Sequence, residues 1–392
     1  MIENPEVIGI FYLYIVAMDQ KSDIVIIGGG LAGLTASIHL AKFGFSVTLI
    51  EKDKYPKHKV CGEYISNEVK PYLQYLDIDI GQINPVAIDT LHISTQSGQL
   101  LQSKLKLGGF GISRYTLDHY LCTVAKERGV HIVYDTVVDT TFKTNHHSVL
   151  TGNGDLWKCD ILIGAHGKRS IVDKKLNRNF ISQKSPWLGV KMHYKGNFTS
   201  NVVGLHNFEG GYCGISKVED HKINVCYLVK YESFKVYKDI ELFQQEVLYK
   251  NEHLKQFFDN ASPLMESPVT ISQISFEKKQ PIEDHLFMIG DAAGLIHPLC
   301  GNGMAMAMDS ARLLCSLLIQ YKDDLVNHRG VIAKEYSKLW HAHFNTRLKY
   351  GRLLQNVLLN RYSQQLAYSA AKVFPFIVPQ IIKQTHGNPI IC

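Results

Sequence analysis

Paired cysteines and metal-ligand clusters are missing from this sequence, and their absence excludes two kinds of site. The 8 cysteines are scattered, without a Cys-x-x-Cys pair or a histidine-rich spacing, so neither a disulfide framework nor a metal site is predicted. This cysteine usage best fits a reducing, cytoplasmic setting. Blocks of lysine or arginine are also missing. The net charge of +6 therefore does not indicate binding to nucleic acid.

The first residues contain an apolar run that is too short to span a bilayer. Residues 7–16 are apolar, but no basic start precedes them and no small-residue cleavage site follows. Since Met18 stands just before the first predicted strand, we interpret residues 1–18 as a disordered leader or an upstream start. The alternative is a short anchor that touches a membrane, which would give the protein a peripheral membrane contact.

A glycine cluster follows the first apolar strand of the chain. The strand at residues 23–27 leads into Gly28, Gly30 and Gly33 in a Gly-x-Gly-x-x-Gly spacing. Gly28 permits a sharp turn, Gly30 permits the backbone to approach a phosphate, and Gly33 permits close packing of helix on sheet. The helix N-terminus then offers free N–H groups to an anion. This pattern predicts a site for the pyrophosphate of a dinucleotide.

The residues after the glycines support this interpretation. A predicted helix at residues 34–43 and a second strand at 46–50 are followed by Glu51, about 20 residues beyond the glycines. A carboxylate there can accept hydrogen bonds from both ribose hydroxyls of an adenosine. The alternative is an ordinary βαβ unit with a surface glutamate. Further on, Arg114 precedes a helix that ends near residue 128, where it could bind the pyrophosphate or form a surface salt bridge with Asp118.

The pattern of strands and helices predicts an α/β protein in several parts. Its 392 residues, 45% hydrophobic and 20% charged, suit a soluble globular protein of two or three domains. We predict a Rossmann-like nucleotide domain, an inserted antiparallel β-sheet substrate domain and a helical C-terminal region. The discontinuous nucleotide domain is predicted at 19–180 plus 280–325, with a hairpin inserted near 86–107. The β-sheet domain is predicted at 181–279, with a helical stretch at 239–258, and the C-terminal helices at 326–392.

Four stretches, taken in order, resemble the flavin-dependent monooxygenase (aromatic hydroxylase) superfamily, including its geranylgeranyl reductase branch. They are the glycine turn with Glu51, Arg114 with Asp118, the turn at residues 164–167, and Gly290-Asp291 with the segment 298–304. The resemblance covers most of residues 23–311 and implies FAD as the cofactor. It also implies that Asp291 bonds the ribityl chain and that the backbone at 301–304 faces the flavin. The sequence departs from the family at His166, where an aspartate is usual.

The resemblance also implies site residues. Cys61 matches a cysteine that protonates or positions the substrate in the geranylgeranyl reductase branch, and Tyr212 stands where that branch has an aromatic motif. A merely packed cysteine and a core tyrosine are the alternatives. The candidate cofactor-binding residues are Gly28, Gly30, Leu31, Ala32, Gly33, Glu51, Lys52, Lys59, Arg114, Val138, Asp291, Gly301, Asn302, Gly303 and Met304.

These features imply an FAD-dependent oxidoreductase that acts on a small hydrophobic substrate. No second Gly-x-Gly-x-x-Gly follows a strand, so we expect NAD(P)H to dock transiently as the reductant. The reaction we expect is hydroxylation of an aromatic or polyketide-like substrate by a monooxygenase. The first alternative is a geranylgeranyl reductase-like enzyme that reduces C=C bonds of a prenyl lipid. The second is a flavin-binding protein without turnover, which only His166 supports.

Overall fold

The computed structural model of the protein describes residues 20–392. The predicted leader at residues 1–18 lies outside the described residues. The described chain forms two β-sheets, helices packed on them, and a helical C-terminal region. The predicted fold class, an α/β nucleotide domain with a second sheet domain and C-terminal helices, is confirmed.

The strands and helices alternate along the first part of the chain. The strands are β1 (Gln20–Ile27), β2 (Val47–Glu51), β3 (Tyr64–Ser66), β4 (Val86–Ser94), β5 (Leu100–Gly111), β6 (His131–Tyr134), β7 (Val137–Lys143), β8 (His146–Thr151), β9 (Leu156–Gly164), β10 (Trp187–Gly196), β11 (Val202–Phe208), β12 (Gly211–Lys217), β13 (Ile223–Lys230), β14 (Ala261–Pro263), β15 (Val269–Ser272), β16 (Ile282–Glu283) and β17 (Leu286–Met288). The helices are α1 (Leu31–Lys42), α2 (Lys70–Tyr75), α3 (Arg114–Glu127), α4 (Ile171–Lys175), α5 (Tyr231–Phe234), α6 (Ile240–Glu246), α7 (Glu252–Asp259), α8 (Gly303–Gln320), α9 (Leu325–Leu359), α10 (Arg361–Val373) and α11 (Ile377–Thr385).

The first sheet positions the glycine turn. Its strands run in the order β16-β17-β9-β1-β2-β6, and the pairs from β17 to β6 are parallel. A parallel sheet is covered by helices on its faces, which is why the run from Ile24 to Ile27 is apolar at every position and buried. The carboxyl ends of β1, β2 and β9 meet at one edge, and ligands bind at such an edge in doubly wound sheets.

The second sheet includes the predicted inserted hairpin. Its order is β14-β10-β13-β12-β11-β4-β5-β3, with β15 paired to β10. The hairpin of β4 and β5 interrupts the nucleotide domain in sequence, yet β4 pairs in parallel with β11 of the substrate sheet. Chain segments from both predicted domains therefore build this sheet.

The helical stretch predicted at residues 239–258 forms two helices, α6 and α7. Asn251 separates them, and its buried amide nitrogen Nδ2 donates to Ser94 Oγ at 2.8 Å and to the carbonyl of Asn207 at 3.0 Å. Its Oδ1 accepts from the N–H of His253 and so caps α7. Tertiary hydrogen bonds thus interrupt a sequence that is helical on both sides.

Three helices complete the chain after α8. The 35-residue α9 crosses the first sheet, and α10 and α11 follow it as a helical pair. Asn360 caps α10 by accepting from two backbone N–H groups, and Pro375 lies between α10 and α11. Within residues 20–392, every helix is too short or too polar to cross a membrane.

Candidate active site

A cavity of about 1110 Å³ lies between the two sheets. Ligand pockets usually measure roughly 300–1,000 Å³, so this cavity has room for a large ligand. One end is lined by the glycine turn and by cations from the loop after β2. The other end is lined by apolar side chains of the second sheet and of α9, α10 and α11. The cavity therefore joins the predicted nucleotide site to an apolar compartment.

The glycine turn has the geometry that the spacing predicts. Gly28 has a φ of +105°, and a Cβ there would lie 2.5 Å from the carbonyl oxygen of Ala165. A Cβ on Gly33 would lie 2.0 Å from the carbonyl oxygen of Gly28, so Gly33 serves the packing of α1 on the sheet and does not line the cavity. Gly30 is the N-cap of α1 and borders the cavity together with Leu31 and Ala32.

Two cations converge on the space above Gly30. A Cβ at Gly30 would lie 3.9 Å from Arg114 Nη2 and 4.0 Å from Lys59 Nζ. Asp118 anchors both side chains, since its carboxylate accepts from Arg114 Nε at 2.6 Å and from Lys59 Nζ at 2.9 Å. Although burial alone would raise it, these two cations hold the pKa of Asp118 below its usual range. The Arg114–Asp118 pair is thus buried and shapes a site for an anion.

Glu51 stands at the carboxyl end of β2 and lines the cavity, as its position in the sequence predicts. Its Oε2 accepts from the N–H of Gly29 at 2.6 Å, and its Oε1 accepts from Lys57 Nζ at 2.6 Å. These bonds fix the carboxylate beside the glycine turn. Lys52, the next residue, also lines the cavity.

The segment before α8 closes the opposite side of the nucleotide end. Asp291, Gly301, Gly303 and Met304 line the cavity. Within residues 20–392 no side chain caps α8, so the N–H groups of its first turn remain available to a ligand. The side chain of Asn302 does not line the cavity. Its Nδ2 donates to Glu68, and its Oδ1 accepts from Arg347 Nη1 at 3.3 Å.

Val138 is also outside the cavity lining. Its side chain is 40% exposed on β7, whereas the preceding Val137 is buried and lines the cavity. Successive side chains of a strand point to opposite faces, so the neighbouring position is the one that faces the site. The structure therefore places Val137 in the cavity lining, while a contact of Val138 with the cofactor stays a prediction.

His166 packs against a carboxylate that lies seven positions further along the chain. Its Nε2 lies 3.2 Å from Asp173 Oδ1, and Arg178 Nη1 donates to the same oxygen at 2.9 Å. Although burial alone would raise it, contacts with His166 and Arg178 lower the pKa of Asp173 to about 2. Arg178 also donates to the carbonyl oxygen of Ala292. The histidine is thus part of a network that joins the turn after β9 to the turn after β17.

Both candidate catalytic residues line the cavity. Cys61 Sγ lies 3.5 Å from Met304 Sδ, beside the first turn of α8, and Asn224 Nδ2 donates to its carbonyl at 3.1 Å. Tyr212 is buried on β12, and its hydroxyl has no hydrogen-bond partner among the described residues. Burial raises the pKa of Tyr212 well above its ordinary value, so its hydroxyl can act only as a proton-bearing donor or as an acceptor.

A buried charge cluster beneath the Cys61 loop was missed from the sequence. Glu63 has a φ of +54° and is fully buried. Its carboxylate accepts from Lys191 Nζ and His193 Nε2, both at 2.7 Å, and from the N–H of Arg114 at 2.8 Å. Lys191 and His193 occupy alternate positions of β10, and a polar pair with period two in a buried strand was the signal that could have been used.

The residues at the nucleotide end fit FAD. The space over Gly30 is free of side-chain atoms except for two cationic groups, and the two helices that begin there have no side-chain cap. Such an arrangement binds the phosphates of a dinucleotide. The apolar compartment beyond Met304 is continuous with this space, so a flavin ring could face a hydrophobic substrate there.

Comparison with known proteins gives similarities along most of the chain. Conditioned medium factor receptor 1 of Dictyostelium discoideum is 22% identical over 84% of this chain and 69% of that protein. Digeranylgeranylglycerophospholipid reductase of Methanococcus vannielii is 24% identical over 85% of this chain and 83% of that protein. The solved structure of the flavin-dependent brominase Bmp2 has a TM-score of 0.74 at 17% identity, covers 95% of both chains, and shows the same fold.

Family models describe two stretches that carry the predicted motifs. The model of FAD dependent oxidoreductases matches residues 23–60, which contain the glycine turn and Glu51. The model of the FAD binding domain matches residues 111–324, more than half of the chain. The chain therefore belongs to the FAD binding domain family and is an FAD-dependent oxidoreductase.

Proposed function

We propose that the protein reduces a carbon–carbon double bond in a long apolar molecule of the prenyl-lipid class. The observation that carries this proposal is the apolar compartment that continues from the nucleotide site, with a thiol at the junction. Cys61 lies at that junction, beside Met304. Similarity to a digeranylgeranylglycerophospholipid reductase along most of both chains supports the same reaction class.

The shape and lining of the compartment suit a chain-like substrate. Side chains of the second sheet form one wall, and side chains of the C-terminal helices form the other. The apolar lining residues include Leu91, Ile93, Leu101, Leu105, Val203, Leu205, Leu358, Ile377, Val378, Ile381 and Ile382. Burial of hydrocarbon contributes roughly 25 cal/mol per Å² of apolar surface removed from water, so these walls would bind a hydrocarbon chain without polar contacts.

Each polar group at the junction has a role in this proposal. Bound FAD, once reduced by NAD(P)H, would supply a hydride to one carbon of the double bond. The thiol of Cys61 would give its proton to the other carbon, and the resulting thiolate would be reprotonated from water. Tyr212 keeps its proton because it is buried, and its hydroxyl would donate a hydrogen bond to a polar group of the substrate. The apolar walls would exclude competing water.

The test uses the purified flavoprotein under anaerobic conditions with NADPH and a polyprenyl substrate. We expect a product with two added hydrogens in the absence of oxygen. Cys61→Ala should lower the rate about 10²-fold or more, as loss of a positioned acid does, while FAD remains bound. Cys226→Ala is the matched control, since Cys226 also lines the cavity, and it should retain the rate. Equal rates for both variants would remove Cys61 from the mechanism.

Hydroxylation by a monooxygenase is the second candidate. The observation that favours it is the apolar end of the cavity, which suits an aromatic or polyketide-like substrate as well as a prenyl chain. The fold shared with a flavin-dependent brominase, which is also a flavin enzyme, agrees with this candidate. Phenolic substrates tested with isotopically labelled oxygen distinguish the two. Product only in the presence of oxygen, with label incorporated, would replace the reductase proposal with this one.

A further inference from the structure

Helix α10 is apolar on two opposite faces. Ala367, Tyr368 and Ala371 line the inner cavity. Tyr362, Leu366 and Val373, spaced four and seven residues apart, lie on the outer face and are 86%, 72% and 69% exposed. A helix that served only to cover the cavity would need one apolar face. The outer face therefore needs a second explanation.

The turn after α10 extends this apolar surface. Residues 372–376 are all exposed, and Phe374 and Phe376 flank Pro375 at the tip of the helical pair. Single exposed apolar residues are ordinary on a protein surface, whereas a contiguous apolar patch marks an interaction site. We call Tyr362, Leu366, Val373, Phe374 and Phe376 the C-terminal apolar patch.

The positive charge of the same region indicates what kind of partner it would bind. Residues 336–392 contain seven lysines and arginines and no aspartate or glutamate, while the whole chain has a net charge of only +6. Arg361, Lys372 and Lys383 are exposed next to the patch, and none of the three is in an ion pair within the described residues. A second copy of this chain would bring the same cations to a symmetric interface, where they would repel one another. An anionic surface would attract them.

We propose that the C-terminal apolar patch docks the protein on the surface of an anionic lipid bilayer. The aromatic and aliphatic side chains would enter the boundary between headgroups and acyl chains, and the flanking cations would meet the lipid phosphates and carboxylates. Since no described helix can cross a membrane, this contact would be peripheral. Docking itself does not depend on the reaction catalysed.

The position of the patch also suggests how the substrate reaches the cavity. This route, unlike the docking itself, rests on the proposed function. The inner faces of α10 and α11 wall the apolar end of the cavity, and the outer face of α10 with the turn after it carries the patch. A lipid-dissolved substrate would therefore reach the cavity between these helices without crossing water. Membrane docking could be present even if the substrate were a different one, so the two ideas are tested separately.

The test is co-sedimentation of the FAD-loaded full chain with vesicles of phosphatidylcholine, with and without phosphatidylserine. We expect binding to the vesicles that contain phosphatidylserine, weakened by added salt. The double variant Phe374→Ser/Phe376→Ser should weaken binding tenfold or more. Replacement of Arg361, Lys372 and Lys383 by glutamine should weaken binding about fivefold for each charge removed. Both variants change exposed side chains, so the flavin spectrum should remain and report intact folding.

The matched control is Val236→Ser/Leu264→Ser, which removes two exposed apolar side chains of the substrate domain. We expect it to bind vesicles as the unchanged protein does. Absence of vesicle binding at low salt, or equal loss in patch and control variants, would overturn the proposal. A mass in solution of two chains that falls to one chain in the Phe374→Ser/Phe376→Ser variant, without vesicle binding, would identify the patch as a contact between copies. If vesicle binding holds and anaerobic reduction fails, only the proposed reaction is overturned.

Discussion

At the residue scale, Gly30 tests the anion site directly. A side chain there would enter the space between Arg114 and Lys59, where the pyrophosphate of FAD is expected. We predict that Gly30→Val lowers FAD affinity at least tenfold, about 1.4 kcal/mol or more, by steric exclusion. The measurement is titration of the FAD-depleted protein with FAD by flavin fluorescence.

The control for Gly30 is Gly330→Ala, in the second turn of α9. A Cβ at Gly330 would meet no atom within 4 Å, and alanine in a helix is more favourable than glycine by roughly 0.5–1 kcal/mol. This variant should bind FAD normally and unfold at a slightly higher temperature. Unchanged FAD affinity in Gly30→Val would show that the pyrophosphate lies elsewhere.

His166 can be tested by restoring the residue that the family usually has. In His166→Asp, a second carboxylate would enter the buried pocket of Asp173, whose pKa is already lowered to about 2. We predict that this variant is less stable at pH 7 than His166→Asn by about 1–3 kcal/mol, since like charges oppose each other there. The difference should shrink as the pH falls, because one carboxyl group takes up a proton. Urea unfolding of both variants from pH 7 to pH 4 measures it, and a difference independent of pH would exclude charge repulsion.

Residues close together in sequence were predictable at this scale, and their distant partners were not. The roles of Gly28 and Gly33 follow from the Gly-x-Gly-x-x-Gly spacing between a strand and a helix, which lies within a few residues of the sequence. Glu63 acquires its role from Lys191 and His193, which are 128 and 130 positions away. Asn302 turns away from the cavity because it donates a hydrogen bond to Glu68, and this partner could not be predicted because it is 234 positions away. A single sequence can mark one partner of such a pair, as the period-two polar positions of β10 do, but it does not show which distant residue that partner contacts.

At the element scale, one buried side chain holds α10 over the cavity. Gln364 Nε2 donates to the carbonyl of Leu358 at 2.8 Å, and its Oε1 accepts from the N–H of Gln96 at 2.9 Å. We predict that Gln364→Leu increases hydrogen exchange throughout Arg361–Val373, because the half-buried N–H of Gln96 and the carbonyl of Leu358 lose their partner, at a cost of about 1 kcal/mol. Hydrogen–deuterium exchange with mass spectrometry measures this.

The neighbouring Gln365 gives a matched control for that experiment. It is exposed and pairs only with the side chain of Gln99, so Gln365→Leu should leave the exchange of α10 unchanged. Equal exchange in both variants would mean that apolar packing alone holds the helix. Faster exchange across the whole chain in Gln364→Leu would indicate global destabilisation instead of a local release.

The presence of most helices and strands could be predicted from the sequence. The points at which helices end or break depend on tertiary contacts. The run of alanine, methionine and leucine at residues 304–320 predicts a helix, and α8 spans Gly303–Gln320. The interruption at Asn251 could not be predicted, because it depends on acceptors in β4 and β11. The membership of β4 in the second sheet was also hidden, since strand pairing across more than 100 residues is not encoded locally.

At the scale of the whole molecule, buried polar contacts tie the nucleotide loop and the start of α3 to the second sheet. Glu63 follows the nucleotide loop and bonds to two residues of β10. Glu219, in the turn after β12, accepts from the N–H of Ser113 at 2.8 Å at the start of α3. The cavity is lined from both sheets as well. A ligand in the cavity should therefore stabilise the two sheets as one unit.

The three tryptophans allow this coupling to be measured, because they report on different parts of the molecule. Trp157 lies on β9 of the first sheet, Trp187 on β10 of the second, and Trp340 on α9. Variants that keep only Trp157 or only Trp187, with phenylalanine at the other two positions, should show coincident urea unfolding curves. With free FAD at about 100 times its dissociation constant, both curves should shift by roughly 2.7 kcal/mol, since FAD binds the folded state alone. Gly30→Val in each background should reduce the shift to about 1.4 kcal/mol or less, because a tenfold loss of affinity leaves FAD at about 10 times its dissociation constant. A shift seen by Trp157 and not by Trp187 would show that the sheets unfold separately, and that FAD stabilises only the sheet that carries the glycine turn.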